Sequence, residues 1–140
     1  MTSTTPQSPK ENRSGSKGGL ASVANGRWVE IMSVLAPELE EAIDSHQSRS
    51  PHVGCPNHGG ADGFRLFAGT GTGFNDTGGG ICNTCGSMRD GFRMLSWVYA
   101  QRELGKVESN FNMGDHPDIM RKAYADVAFY LDHGYARNPD

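Results

Sequence analysis

Two short hooks carry the clearest chemistry in this chain. Cys55-Pro-Asn-His58-Gly and Cys82-Asn-Thr-Cys85-Gly each read as ligand, two spacers, ligand, glycine. Two spacers let both side chains of a hook converge on one cation about 2.0–2.3 Å away, and soft sulfur with imidazole suits zinc. The glycine that follows permits a left-handed turn and lets backbone N–H groups approach the sulfur. Two hooks close a tetrahedron with no open position, so the expectation is one structural Zn2+ held by Cys55, His58, Cys82 and Cys85. His52 is the alternative fourth ligand, and the hook spacing favours His58. A redox role for the Cys82/Cys85 pair is the competing reading, without any thioredoxin-like βαβ context to support it. The zinc reading uses all three cysteines of the chain, which accounts for their odd number.

A second set of residues has the chemistry to hold a single strand of nucleic acid, with cations for the backbone and aromatic faces for the bases. Phe64, Arg65, Phe67 and Phe74 interleave in this way. Strand alternation puts Phe64 and Leu66 on one face and Arg65 and Phe67 on the other. Arg65 and Phe67 are therefore the expected contacts, with Arg89 and Arg93 on phosphates. The plainer alternative makes the phenylalanines core and the arginines solvated surface. Asp62, Asp76 and Asp90 read as turn and cap residues rather than a magnesium site. The glycine runs at 69–73 and 78–80 lack the Lys-Ser/Thr pair and strand–helix setting of a phosphate loop. His46, His116 and His133 read as solvated or capping residues.

The elements that position these groups follow from composition and periodicity. Of 140 residues only 36% are apolar and 19 are glycine, so the core is thin and a metal would help to stabilise it. Residues 1–24, rich in Ser, Thr, Pro, Gly and Lys, read as a disordered tail. Residues 25–48 form a helical segment, with Trp28, Ile31, Met32, Leu35, Leu39 and Ile43 at helical spacing and Asn25 as N-cap. Pro37 breaks that segment near Ala36. Residues 49–104 form the ribbon domain, with strands around Phe64–Phe67 and Gly80–Asn83 and an unstructured glycine-rich link over 68–80. Its closing helix is capped by Asp90, carries Phe92, Leu95, Val98, Tyr99 and Arg102 at helical spacing with Trp97 beside them, and ends at Gly105. Residues 105–140 form a C-terminal helical segment, starting near Asp115 or Pro117, burying Ile119, Ala123, Val127, Tyr130 and Leu131, and stopping at Gly134. The fold class is small α+β: a zinc ribbon of short antiparallel strands flanked by helices.

Net charge is −3, which gives no global attraction to nucleic acid or an anionic membrane. The distribution is uneven. Residues 1–27 hold Lys10, Arg13, Lys17 and Arg27 against Glu11, whereas residues 103–140 hold four basic and seven acidic side chains. The N-terminal stretch has no apolar signal region and no apolar run reaches a membrane span, so the expected location is the cytoplasm.

The stretch from His52 to Phe67, with Cys-Pro-Asn-His-Gly-Gly followed by Asp-Gly-Phe-Arg-Leu-Phe, resembles the zinc-binding domain of plasmid- and phage-type DNA primases and primase-helicases. So does Gly78 to Gly86, followed by Asp90-Gly-Phe92, and Gly26-Arg27-Trp28 resembles the helix that precedes the ribbon. The resemblance implies Cys55, His58, Cys82 and Cys85 as zinc ligands. It also implies a module that engages single-stranded DNA template for primer synthesis in replication, beside a primase catalytic or helicase domain in cis or in trans. The 36 residues after Leu104 leave no room for an acidic, magnesium-binding catalytic domain, so no chemistry is expected of this chain itself. The 69–73 loop is longer than the family's usual link. The alternative function is a zinc-stapled interaction or regulatory module that presents Trp97, Tyr99 and an acidic last helix.

Overall fold

Alternating side chains in the longest strand decide which way the sheet faces. The computed structural model of the chain describes residues 17–49, 51–69, 71–107 and 113–137. Strands β1 (Val53–Cys55), β2 (Gly59–Leu66), β3 (Gly80–Cys82) and β4 (Gly86–Met88) form one antiparallel sheet in chain order. Phe64 pairs with Val53 and Cys82, Leu66 with Gly80, and Gly80 with Met88. Val53, Phe64, Leu66, Cys82 and Met88 thus share an inner face, and all five are buried. The period of two then turns Arg65, Ile81 and Ser87 outward across three neighbouring strands.

Helices close the inner face. They are α1 (Lys17–Ala24), α2 (Trp28–Leu35), α3 (Glu40–Ser45), α4 (Phe74–Thr77), α5 (Gly91–Leu104) and α6 (Pro117–His133). In α5 every residue from Met94 to Ala100 is buried, because the helix lies between the sheet and α6. Trp97 stacks on Phe64 with ring centres 5.6 Å apart. The Asp90 side chain accepts the Arg93 N–H at 2.9 Å and caps α5. Pro117 opens α6, Gly134 closes it with φ 84°, and Ile119, Ala123, Val127 and Tyr130 point inward. Pro37 does interrupt the first helical pattern: α2 stops at Leu35, a single 3-10 turn covers Pro37–Leu39, and α3 follows.

Three expectations are corrected. The disordered tail does not extend to residue 24, because Lys17–Ala24 is helical; residues 1–16 lie outside the described residues. Leu20 and Ala24, one turn apart, give α1 a short apolar stripe, and α1 packs on α6. Asn25 is consequently a turn residue after α1 and not the N-cap of α2. The exposed N–H of Val29 is taken by Asn75 Oδ1 at 3.0 Å, a cap supplied from the glycine-rich link.

That link is the third correction. It is folded around α4, with Phe74 fully buried and edge-on to His46, and Asp76 accepts the Gly71 N–H at 2.8 Å. Its glycines serve close packing. A Cβ on Gly78 would sit 2.3 Å from Gly91 Cα, and one on Gly91 would sit 2.3 Å from the Trp28 ring. The indole therefore lies flush on the junction where β4 becomes α5.

Candidate metal centre and the outer sheet face

Both hooks are hairpin turns at one end of the sheet. Cys55 pairs with Gly59 across the β1–β2 turn, and Cys82 pairs with Gly86 across the β3–β4 turn. Each pairing returns the chain four residues after its first ligand. Gly59 (φ 79°) and Gly86 (φ 105°) supply the left-handed backbone that this needs. Since β2 and β3 are neighbours, the two turns converge.

The ligand atoms of Cys55, His58, Cys82 and Cys85 all lie within 4.8 Å of one another. Cys55 Sγ is 3.9 Å from Cys85 Sγ, and His58 Nε2 is 3.2 Å from Cys82 Sγ. Zinc–sulfur bonds of about 2.3 Å in a tetrahedron separate the sulfurs by about 3.8 Å, so the arrangement fits one zinc ion. Cys55 and Cys82 are buried and Cys85 is half-buried, as a closed structural site requires. His52 is exposed and stands outside the cluster. Among the described residues this is the one group of metal-binding side chains; Asp62, Asp76 and Asp90 do not converge.

Electrostatics favour a cation at this point. Burial pushes the Cys55 thiol up to about 12, against the opposing backbone N–H groups of His58 and Asn57. Burial likewise raises Cys85. Burial also acts on Cys82, but the Cys85 N–H, the His58 ring and the Thr84 N–H outweigh it and bring that thiol down to about 7. Sulfurs this close cannot all carry charge unaided. A divalent ion removes the conflict and releases the remaining protons.

One supporting residue escaped the sequence reading. Asn57, counted there only as a spacer, donates its side-chain N–H to Cys85 Sγ at 3.4 Å and to the Val107 carbonyl at 2.8 Å. Its side-chain oxygen accepts the Val107 N–H at 2.8 Å. The amide ties the metal hooks to the segment that follows α5. Hydrogen bonds of this kind orient ligands and tune a metal. Only an asparagine between two ligands hinted at it, since its partner lies 50 residues away.

Residues 50–92 match the family model for the zinc-binding domain of primase-helicase. This segment is a primase-type zinc ribbon. The match ends at the start of α5, so α1–α3 and α6 flank the primase-type ribbon without being covered by it. No curated protein and no solved structure matches the chain. Among the described residues no helix is long and apolar enough to cross a membrane.

The expected nucleic-acid residues divide. Arg65 lies on the outer face of the ribbon, its guanidinium carbon 6.0 Å from the centre of the Phe67 ring. Phe67 follows Leu66 and bonds through its N–H to Gly79, placing it next to the end of β4, where Arg89 is exposed. Neither Arg65 nor Arg89 has a carboxylate partner among the described residues. Arg93 sits apart in the first turn of α5, paired with Asp90 at 2.7 Å. Phe64 and Phe74 are fully buried, so both are core and neither can stack on a base. Trp97 and Tyr99 are buried too, which removes them as the contact surface of an interaction module. Of the basic N-terminal residues, Arg27 is paired with Glu30 at 3.1 Å, while Lys10 and Arg13 lie outside the described residues.

Proposed function

We propose that the chain is the template-recognition module of a DNA primase or primase-helicase, and that it holds single-stranded DNA on the outer face of its zinc ribbon. The observation that carries this reading is the grouping of Arg65, Phe67 and Arg89 on one side of the sheet, with no carboxylate partner for either arginine among the described residues. Two free guanidinium groups attract phosphates, and a half-exposed phenylalanine offers a face for a base. The match to the zinc-binding domain of primase-helicase supports this reading, in which a primase catalytic or helicase domain, in cis or in trans, receives the strand during replication. Arg93 contributes least, because Asp90 cancels its charge. The zinc holds the two turns that support this face and takes no part in chemistry. The setting is the cytoplasm, in a replication system of the kind plasmids and phages encode.

Fluorescence anisotropy with labelled single-stranded DNA and the zinc-loaded chain tests the reading. Arg65→Ala and Arg89→Ala should each weaken binding and each reduce the salt slope by about 0.7, the contribution of one phosphate contact on a single strand. Phe67→Ala should cost about 1–3 kcal/mol of stacking. Unchanged binding in the folded, zinc-loaded Arg65→Ala/Arg89→Ala double variant would overturn it.

A further inference from the structure

On the helical side, away from the zinc ribbon, a cavity of about 490 Å³ opens between α2, the Pro37 turn, α5, α6 and the residues after α6. Its size falls within the range of small-molecule sites. One wall is apolar, formed by Leu35, Pro37 and Val34, and Val34 is 42% exposed although it sits among core residues. The other wall is cationic, with Arg102, Lys122 and Arg137.

The cations differ in how far they are already engaged. Arg102 is consumed: it donates twice to Glu38, at 2.5 and 2.6 Å, and once to the Leu35 carbonyl. At the floor, buried Asp126 accepts the Tyr99 hydroxyl on one oxygen at 2.5 Å and Arg137 on the other at 2.7 Å. Its negative charge is thereby satisfied and does not face the cavity unpaired. Arg137 spends one arm of its fork on Asp126 and keeps the rest. Lys122 has no carboxylate partner among the described residues; its ammonium lies 5.4 Å from the centre of the Tyr99 ring. Three cations against two acids leave one uncompensated positive charge beside an apolar wall, in a chain whose net charge is −3.

We infer that this cavity binds a nucleoside phosphate, with the phosphate on Lys122 and the free N–H groups of Arg137 and the base against Val34 and Pro37. A compact ammonium beside a planar fork suits a tetrahedral anion, and the apolar wall offers an organic group, such as a base, contacts that an inorganic ion cannot use. The same chemistry comes from two sources, a free mononucleotide or the 5′-phosphorylated end of a strand. The site shares no residue with the outer face of the sheet, so its success or failure is independent of the template-binding reading.

Isothermal titration of the zinc-loaded full chain with AMP, inorganic phosphate and a 5′-phosphorylated trinucleotide tests it. Saturable AMP binding that weakens at least tenfold in Lys122→Gln, and equally in Val34→Glu, while Arg65→Ala/Arg89→Ala leaves it unchanged, is the expected result. Both cavity variants alter exposed side chains, and their melting temperatures check that they fold. Tighter binding of the trinucleotide than of AMP, lost in the same variants, identifies a strand end as the occupant; the reverse order identifies the free nucleotide. Absence of saturable AMP and trinucleotide binding overturns the inference. So does phosphate binding as tight as AMP binding, or AMP binding that survives both cavity variants.

Discussion

The hook end of the sheet and the α5–α6 pair are built by different forces. Three of the four strands have three residues each, and the first part of β2 is largely exposed. Strands so short contribute little independent stability. At that end, convergence of side chains on a metal supplements the burial of one face of the sheet. In α5, by contrast, seven consecutive residues are inaccessible, and α6 adds a stripe of its own. There, removal of apolar surface from water provides the stabilisation. The two systems meet at Phe64 and Trp97, where a strand side chain leans on a helix side chain. One small protein therefore draws on two sources of stability, coupled by this ring stack and by the Asn57 amide.

Zinc removal should separate them most sharply. Chelation, or Cys82→Ser, should remove a contribution on the order of 10 kcal/mol, the scale of structural zinc sites. Hydrogen exchange should then rise first and furthest across β1–β4, with α5 and α6 following later. Equal acceleration everywhere would break the distinction. Trp97→Ala attacks the joint from the other side and should cost about 3–5 kcal/mol in thermal unfolding. Its zinc content, measured on the purified protein, should stay stoichiometric. Gly91→Ala should cost about 1–3 kcal/mol by forcing the Trp28 ring away from the start of α5, again without loss of metal. Smallest is the ion pair of Glu38 and Arg102. Hydrogen bonds from Arg102 hold the Glu38 carboxyl below its ordinary range, with burial opposing. A depressed acid stabilises the fold above its unfolded pKa and loses that contribution as pH falls through the folded value. Glu38→Gln should thus flatten the acid limb of a stability–pH curve by less than about 1 kcal/mol, since the pair is partly exposed.

Legibility in the sequence followed the range of the interactions. The hooks, the break at Pro37, the Asp90 cap, the inward stripe of α6 and the outward turn of Arg65 all depend on spacing within a few residues, and all were readable. Tertiary contacts were not. The glycines at 78 and 91 gave no sign of a tryptophan lying across them, because that tryptophan is some 50 to 60 positions upstream. The α4 turn was masked by six glycines that read as slack, although Phe74 anchors it in the core. Asn75 and Asn57 look like ordinary loop residues until Val29 and Val107 are placed beside them. Residues 17–24 offer only Leu20 and Ala24 as an apolar stripe, too little to predict a helix without α6 to receive it. Trp97 and Tyr99 posed the opposite problem, since periodicity alone does not say whether an aromatic is sandwiched or displayed.

The Asn57 amide gives the metal a reach beyond its own ligands. It grips a sulfur with one side and a peptide group of the α5–α6 connection with the other, so the ribbon and the last two helices share a hinge pin. Draining zinc from the protein would loosen that pin as well as the hooks, and the angle at which the final helix is carried would lose one of its restraints.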